Sequence, residues 1–174
     1  PHSGRPIAIT HANAKSWHPA LRNKTDEVLR ALGQSGGMLG VSTYPHHLRN
    51  GSACTLQDFC DMIARTAEIT GPQNIGIGTD LCQDQPDSIV EWMRVGRWTK
   101  GMDYGEGSAE APGFPAPVTW HRDNRDLAGF AEGLRKAGLS QPEIDGVMGG
   151  NWARFYAESF GPLDARTPIQ RAAE

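Results

Sequence analysis

The stretch NIGIGTD, residues 74 to 80, decides the fold. It follows Gly71-Pro72, which stops whatever precedes it, and it ends on the carboxylate of Asp80. Residues 74–79 are too short for a helix and read as a buried strand. Upstream, Thr55 opens a T-x-x-D capping box with Asp58, and Leu56, Phe59, Ile63 and Ala67 recur at helical spacing to about Thr70. Residues 45–54, PHHLRNGSAC, read as a loop, and 38–44, MLGVSTY, as a second apolar strand. Before that, Thr25 can cap a helix over 26–34, with Val28, Leu29, Ala31 and Leu32 on its apolar face and Gly36-Gly37 at its end. Residues 6–10, PIAIT, are another strand, ending in His11. Short apolar strands alternating with helices imply a parallel sheet covered by helices, an α/β fold.

Downstream of Asp80 the pattern breaks. Residues 81–122 hold a short helix around 88–97 and then a Gly/Pro-rich stretch. A connection this long inside a domain is a functional lid or a disordered segment. Helices resume at Asp123 or Asn124, with Leu127, Phe130, Ala131 and Leu134 on one face. Ser140 and Glu143 form another capping box, with Pro142 early in that helix. A final helix after Gly149-Gly150-Asn151 carries Trp152, Phe155, Tyr156 and Phe160. Residues 1–161 are expected to form one unit, with 81–122 as a long loop or lid and 162–174 as a loosely held polar tail.

The chain has 174 residues, enough for one domain with a real core. Seventeen Lys and Arg against twenty Asp and Glu give a formal charge of −3, so charge makes no case for nucleic acid or an anionic membrane surface. No apolar run approaches a bilayer span. Cys54, Cys60 and Cys82 form neither a disulfide framework nor a C-x-x-C knuckle, and read as free thiols of a reducing compartment. With no signal peptide in view, the expected compartment is the cytoplasm. The chain starts at Pro1 without an initiator Met, which raises the expectation that it is part of a larger fold.

Two strands share one design. One ends in His11 and one in Asp80, so each places a metal-ligand residue type at the carboxyl end of a buried parallel strand. In a (β/α)8 barrel that end is where active sites sit, and a His with a carboxylate suits a hydrolytic zinc site. The plainer alternative is that a polar residue simply ends each apolar run. Arg22, in the loop after His11, suits a substrate carboxylate because its planar fork binds two oxygens, or else is a surface residue before the Thr25 cap. Tyr44 can border a pocket. Of His46 and His47, at most one reaches substrate if that segment is extended, since neighbouring side chains then point apart. His18 reads as a loop residue packing on Trp17, His121 as structural or solvated, and Asp84, Asp87 and Asp103 as loop charges. There is no phosphate loop, G-x-S-x-G elbow or H-E-x-x-H, which argues against a kinase, an α/β-hydrolase and a simple zincin.

The segment AITHANAKSWHPALRNKTDEVLRAL resembles the S-H-S/A … R-N-x-x-D-x-x-L segment of the membrane (renal-type) dipeptidases, dinuclear zinc peptidases. NIGIGTD resembles their G-x-G-x-D strand end, and AGLSQPEIDGVMGGNWARFYAESF their C-terminal helices. Three modest motifs in the right order cover most of residues 5–161, and the 69 residues between His11 and Asp80 fit the family's layout. The resemblance implies a (β/α)8 barrel of the metal-dependent hydrolase type with two zinc ions at its strand ends. It implies that His11 is a zinc ligand and that Asp80 is a ligand that also shuttles a proton. Arg22 would bind the free carboxylate of a dipeptide. Tyr44 and His47, placed at the end of the second strand, are the other candidates for contact with substrate. A zinc-bridging hydroxide would attack the scissile carbonyl.

Two departures from the family matter. Its H-x-D pair, its metal-bridging Glu and one more His lie upstream of the matched segment and are absent here. The chain is therefore expected to be the C-terminal part of the barrel, inactive without the N-terminal half. The family's D-F-D-G is here Asp80-Leu81-Cys82-Gln83, which bears on substrate choice. Family members are often dimers, so a homodimer is a further expectation. The competing readings are a non-catalytic scaffold that lost its ligands, and an amidohydrolase acting on another small amide or a lactone.

Overall fold

Three short strands form a parallel sheet in the order β1-β2-β3. They are β1 (Ala8–Ile9), β2 (Met38–Val41) and β3 (Ile75–Ile77), joined by α1 (Asp26–Gln34) and α2 (Leu56–Thr70). This computed structural model describes residues 3–94, 108–110 and 114–161. The β-α-β-α-β order is the one the apolar runs predict, because parallel neighbours need a crossover and each crossover here is a helix.

Local chemistry fixes both helices. The Thr25 hydroxyl accepts the Val28 N–H at 3.4 Å at the start of α1. At its end Gly36 takes φ +73, and the Gly37 N–H returns to the Leu32 carbonyl at 2.9 Å. That is the paired-bond stop a left-handed glycine permits. In α2 the Thr55 hydroxyl accepts the Asp58 N–H at 3.1 Å, and the Asp58 carboxylate accepts the Thr55 N–H at 3.2 Å. Such a cap is worth about 1 kcal/mol.

The strands are shorter than the apolar runs. Beyond Val41 the chain stays buried but leaves the regular ladder: the Ser42 N–H donates to the Asn13 side-chain carbonyl at 2.9 Å, and the Thr43 N–H to the Thr79 carbonyl at 3.0 Å. Residues 45–54 contain two tight 3-10 turns, Pro45–His47 and Gly51–Ala53, rather than extended chain.

The sheet has two unlike faces. Leu39, Val41 and Ile75 join the main core with Leu29 and Leu32 of α1 and Phe59 and Ile63 of α2. The opposite face carries Met38, Gly40, Gly76 and Gly78, and a Cβ placed on Gly76 would meet the Trp152 indole nitrogen at 2.7 Å. The outward carbonyls of β3 are occupied by the last helix. Asn151 Nδ2 donates to Ile75 O at 2.8 Å and Trp152 Nε1 to Ile77 O at 2.9 Å. Side chains thus satisfy backbone groups that an open strand edge would leave bare.

After β3 comes α3 (Asp87–Arg94), then a 3-10 turn at Asn124–Gly129, α4 (Phe130–Lys136), α5 (Gln141–Asp145) and, across a π-helical turn at Gly146–Gly150, α6 (Asn151–Ser159). Asp123 caps the turn in a box with Asp126, and Ser140 caps α5 with Glu143. The expected helical residues after Arg94, Asp103, most of the Gly/Pro-rich stretch and the tail 162–174 lie outside the described residues. Among the described residues no helix is long and apolar enough to cross a membrane.

Candidate functional site

His11 and Asp80 stand just past the carboxyl ends of β1 and β3, the two edge strands of the sheet. Glycines bring those ends close. A Cβ on either Gly40 or Gly78 would overlap the Thr10 carbonyl, so the backbone leading into His11 lies directly against both glycines. His11 Nδ1 sits 2.8 Å from the Thr10 hydroxyl, which leaves Nε2 as the nitrogen available to a metal. Metal-bound histidines use their two nitrogens in this divided way. Asp80 is exposed and takes φ +57, a left-handed conformation that Asp tolerates better than most residues.

Arg22 is exposed in the bend before α1, next to buried Asn23. Asn23 anchors that loop. Its Nδ2 donates to His47 O at 3.0 Å and to His18 O at 2.9 Å, and its Oδ1 accepts the Asn13 N–H at 2.9 Å. Asn13 in turn donates to Ser42 O at 3.0 Å and to His47 O at 3.1 Å. This buried knot ties the loop carrying Arg22 to the end of β2. The His47 ring is part of it, with Nδ1 2.8 Å from the Ser42 hydroxyl. Tyr44 packs on both neighbouring histidines, 5.5 Å from the His46 ring and 5.1 Å from the His47 ring. Because Pro45–His47 is a 3-10 turn, both rings lie on the tyrosine, and the alternation expected of an extended segment does not apply. Trp17 packs under the Arg49 guanidinium at 4.4 Å.

A cavity of about 510 Å³ opens beside Asp80, within the range of small-molecule sites. Tyr44, Asp80, Phe114, Val118, His121 and Arg122 are among its lining residues. Tyr44 and Asp80 therefore share one cavity, whereas His11, Arg22 and His47 lie outside its lining. His121 is 0% exposed, stacks on Trp120 and meets Phe130 edge-on. Burial lowers its pKa, against the opposing pull of Asp126 and Asp123. Its burial carried no periodic signal, since it sits alone after Trp120 at the end of an irregular stretch. Two of the three thiols are buried and chemically quiet: burial first, then Asp58, raises Cys54 to about 11, and burial raises Cys60 to about 12, while Cys82 is exposed.

His11 and Asp80 are donors of the types that hold zinc, but they do not close a site. Among the described residues no three His, Cys, Asp or Glu side chains gather so as to hold a metal ion.

Comparison with known proteins gives the setting. The sequence model of the membrane dipeptidases, peptidase family M19, matches residues 2–96, more than half of the chain. The chain is 25% identical over 156 residues to the dipeptidase aclJ of Aspergillus oryzae, covering 88% of this chain and 30% of that protein. It is 34% identical over 157 residues to an uncharacterized Klebsiella pneumoniae protein from the pqqA 5′ region, covering 88% and 46%. The chain thus spans less than half the length of either relative. Among solved structures, an amidohydrolase from Pseudomonas aeruginosa matches with a TM-score of 0.76 and 27% identity, over 92% of this chain and 47% of that one. A metallo peptidase from Rhodobacter sphaeroides, solved with a phosphinate mimic of L-Ala-D-Ala, shares the fold with a TM-score of 0.65 and 19% identity, over 90% and 37%. The three parallel strands and their helices are accordingly part of a (β/α)8 barrel of the metal-dependent hydrolase type. By sequence model, relatives and fold together, the chain belongs to the membrane dipeptidase family.

Proposed function

We propose that the chain is the C-terminal portion of a zinc-dependent dipeptidase barrel that cleaves dipeptides with a free C-terminal carboxylate. The observation that carries this is the placement of His11 and Asp80 past the ends of parallel strands in a chain of this family. His11, through Nε2, and Asp80 would contribute to holding zinc, with the other ligands supplied by the N-terminal half of the barrel. Zinc, when bound, supplies Lewis-acid chemistry and acidifies water. Arg22 holds the substrate carboxylate in its fork, on a loop stiffened by Asn23. Tyr44 borders the substrate, and the His47 ring supports it from the knot. Asp80 takes a proton on its carboxylate and returns it to the leaving amine.

Arg22→Met tests the substrate class. Loss of a charge-assisted clamp costs about 1.5–3 kcal/mol. In the complete enzyme, KM for a dipeptide should rise roughly 10- to 100-fold, while a substrate lacking the carboxylate is unaffected. Unchanged dipeptide kinetics would exclude the carboxylate clamp. They would favour a second reading, hydrolysis of another small amide or a lactone, and for the amide the likeness to the Pseudomonas amidohydrolase lends support.

A further inference from the structure

We propose that His121 is a positioning residue that holds Asp80 in place through Thr43; this rests on Asp80 being a working residue of the site. The Thr79 carbonyl, one residue before Asp80, is gripped twice by Thr43, by its N–H at 3.0 Å and by its hydroxyl at 3.1 Å. A threonine hydroxyl has one hydrogen, and here it is spent on Thr79. The 3.0 Å contact between Thr43 Oγ1 and His121 Nδ1 is therefore an Nδ1–H donating to the hydroxyl oxygen. His121 thus fixes the rotation of the Thr43 hydroxyl, and Thr43 fixes the peptide that leads into the left-handed Asp80.

The rest of the ring shows what this arrangement costs. Nε2 is buried and has no hydrogen-bond partner among the described residues. Leaving a buried acceptor unpaired is destabilising. The ring lies against Trp120 and Phe130, with centroids 6.3 and 5.5 Å away, so phenylalanine would pack there with no unpaired nitrogen. A residue chosen for stability alone would be apolar. Among the described residues the hydrogen bond this imidazole makes is to Thr43, and through it the ring reaches toward Asp80.

The test uses the complete enzyme with Asp80→Asn as reference. His121→Phe should leave the melting temperature unchanged or raise it, yet lower kcat about 10- to 100-fold with little change in KM, as misplaced catalytic groups do. His121→Asn, whose amide nitrogen can stand where Nδ1 stood, should restore most of the loss. Thr43→Val should reproduce the loss, and the double variant Thr43→Val/His121→Phe should be no worse than either single, because both break one chain of bonds. Full kcat in His121→Phe, losses that multiply in the double variant, no rescue by asparagine, or a kcat that falls only as the protein melts would each overturn the proposal. If Asp80→Asn is fully active, the underlying role of Asp80 fails. If only Asp80→Asn is impaired, that role survives and the link to His121 fails.

Discussion

Asp80→Asn in the complete enzyme is expected to lower kcat/KM for a dipeptide by roughly 100- to 10,000-fold, the range of a lost acid–base group. The substitution is a clean one. Asparagine keeps the shape of aspartate and also tolerates the left-handed backbone that Asp80 adopts at φ +57. Asp80 is exposed, so no buried packing is disturbed. What disappears is the negative charge, with its hold on zinc, and the ability to accept and return a proton. Steady-state kinetics on a dipeptide, read beside a thermal melt, separate chemistry from folding. Wild-type rates in Asp80→Asn would remove the carboxylate from the mechanism.

The second large effect is structural. Gly40→Ala and Gly78→Ala are each expected to destabilise the fold by about 3 kcal/mol, the upper part of the usual overpacking range. In both, the new methyl would overlap the Thr10 carbonyl, and each glycine also lies against the backbone of the other. Backbone atoms cannot swing aside as a flexible side chain can. The strain therefore falls on the peptide that carries His11, so metal binding should weaken along with stability. Gly4→Ala is the control, because nothing lies within 4 Å of its added carbon. Chemical denaturation of the three variants checks the ordering. Equal midpoints would show that the two strand ends are not packed as described.

These two predictions draw on features of unequal visibility in the sequence. Asp80 was plain, since it ends a short apolar run, and so was His11. The capping boxes at Thr55 and Ser140 and the glycine stop of α1 set helix ends that the structure reproduces, because caps are local chemistry. Strand ends were less visible. The runs PIAIT, MLGVSTY and NIGIGT extend past the laddered residues; in MLGVSTY, Ser42 and Thr43 are buried for tertiary reasons, by bonds to Asn13 and Thr79. The box between Asp123 and Asp126 was available in the D-x-x-D spacing, although the first turn it caps is 3-10 rather than α-helical. The Asn13–Asn23–His47 knot and the His121–Thr43 contact join residues 10 to 78 positions apart, and no periodicity reports such pairings. Nor does the sequence complete the site, because the remaining metal donors are proposed to lie outside these 174 residues.

Metal analysis of the complete protein tests the central claim most directly, that this chain contributes His11 and Asp80 to a zinc centre closed by the other half of a barrel. Wild type should hold two zinc ions per barrel, and His11→Ala and Asp80→Ala should each hold fewer while still folding. A protein that hydrolyses dipeptides with no bound zinc, or variants that both retain the full complement, would contradict it.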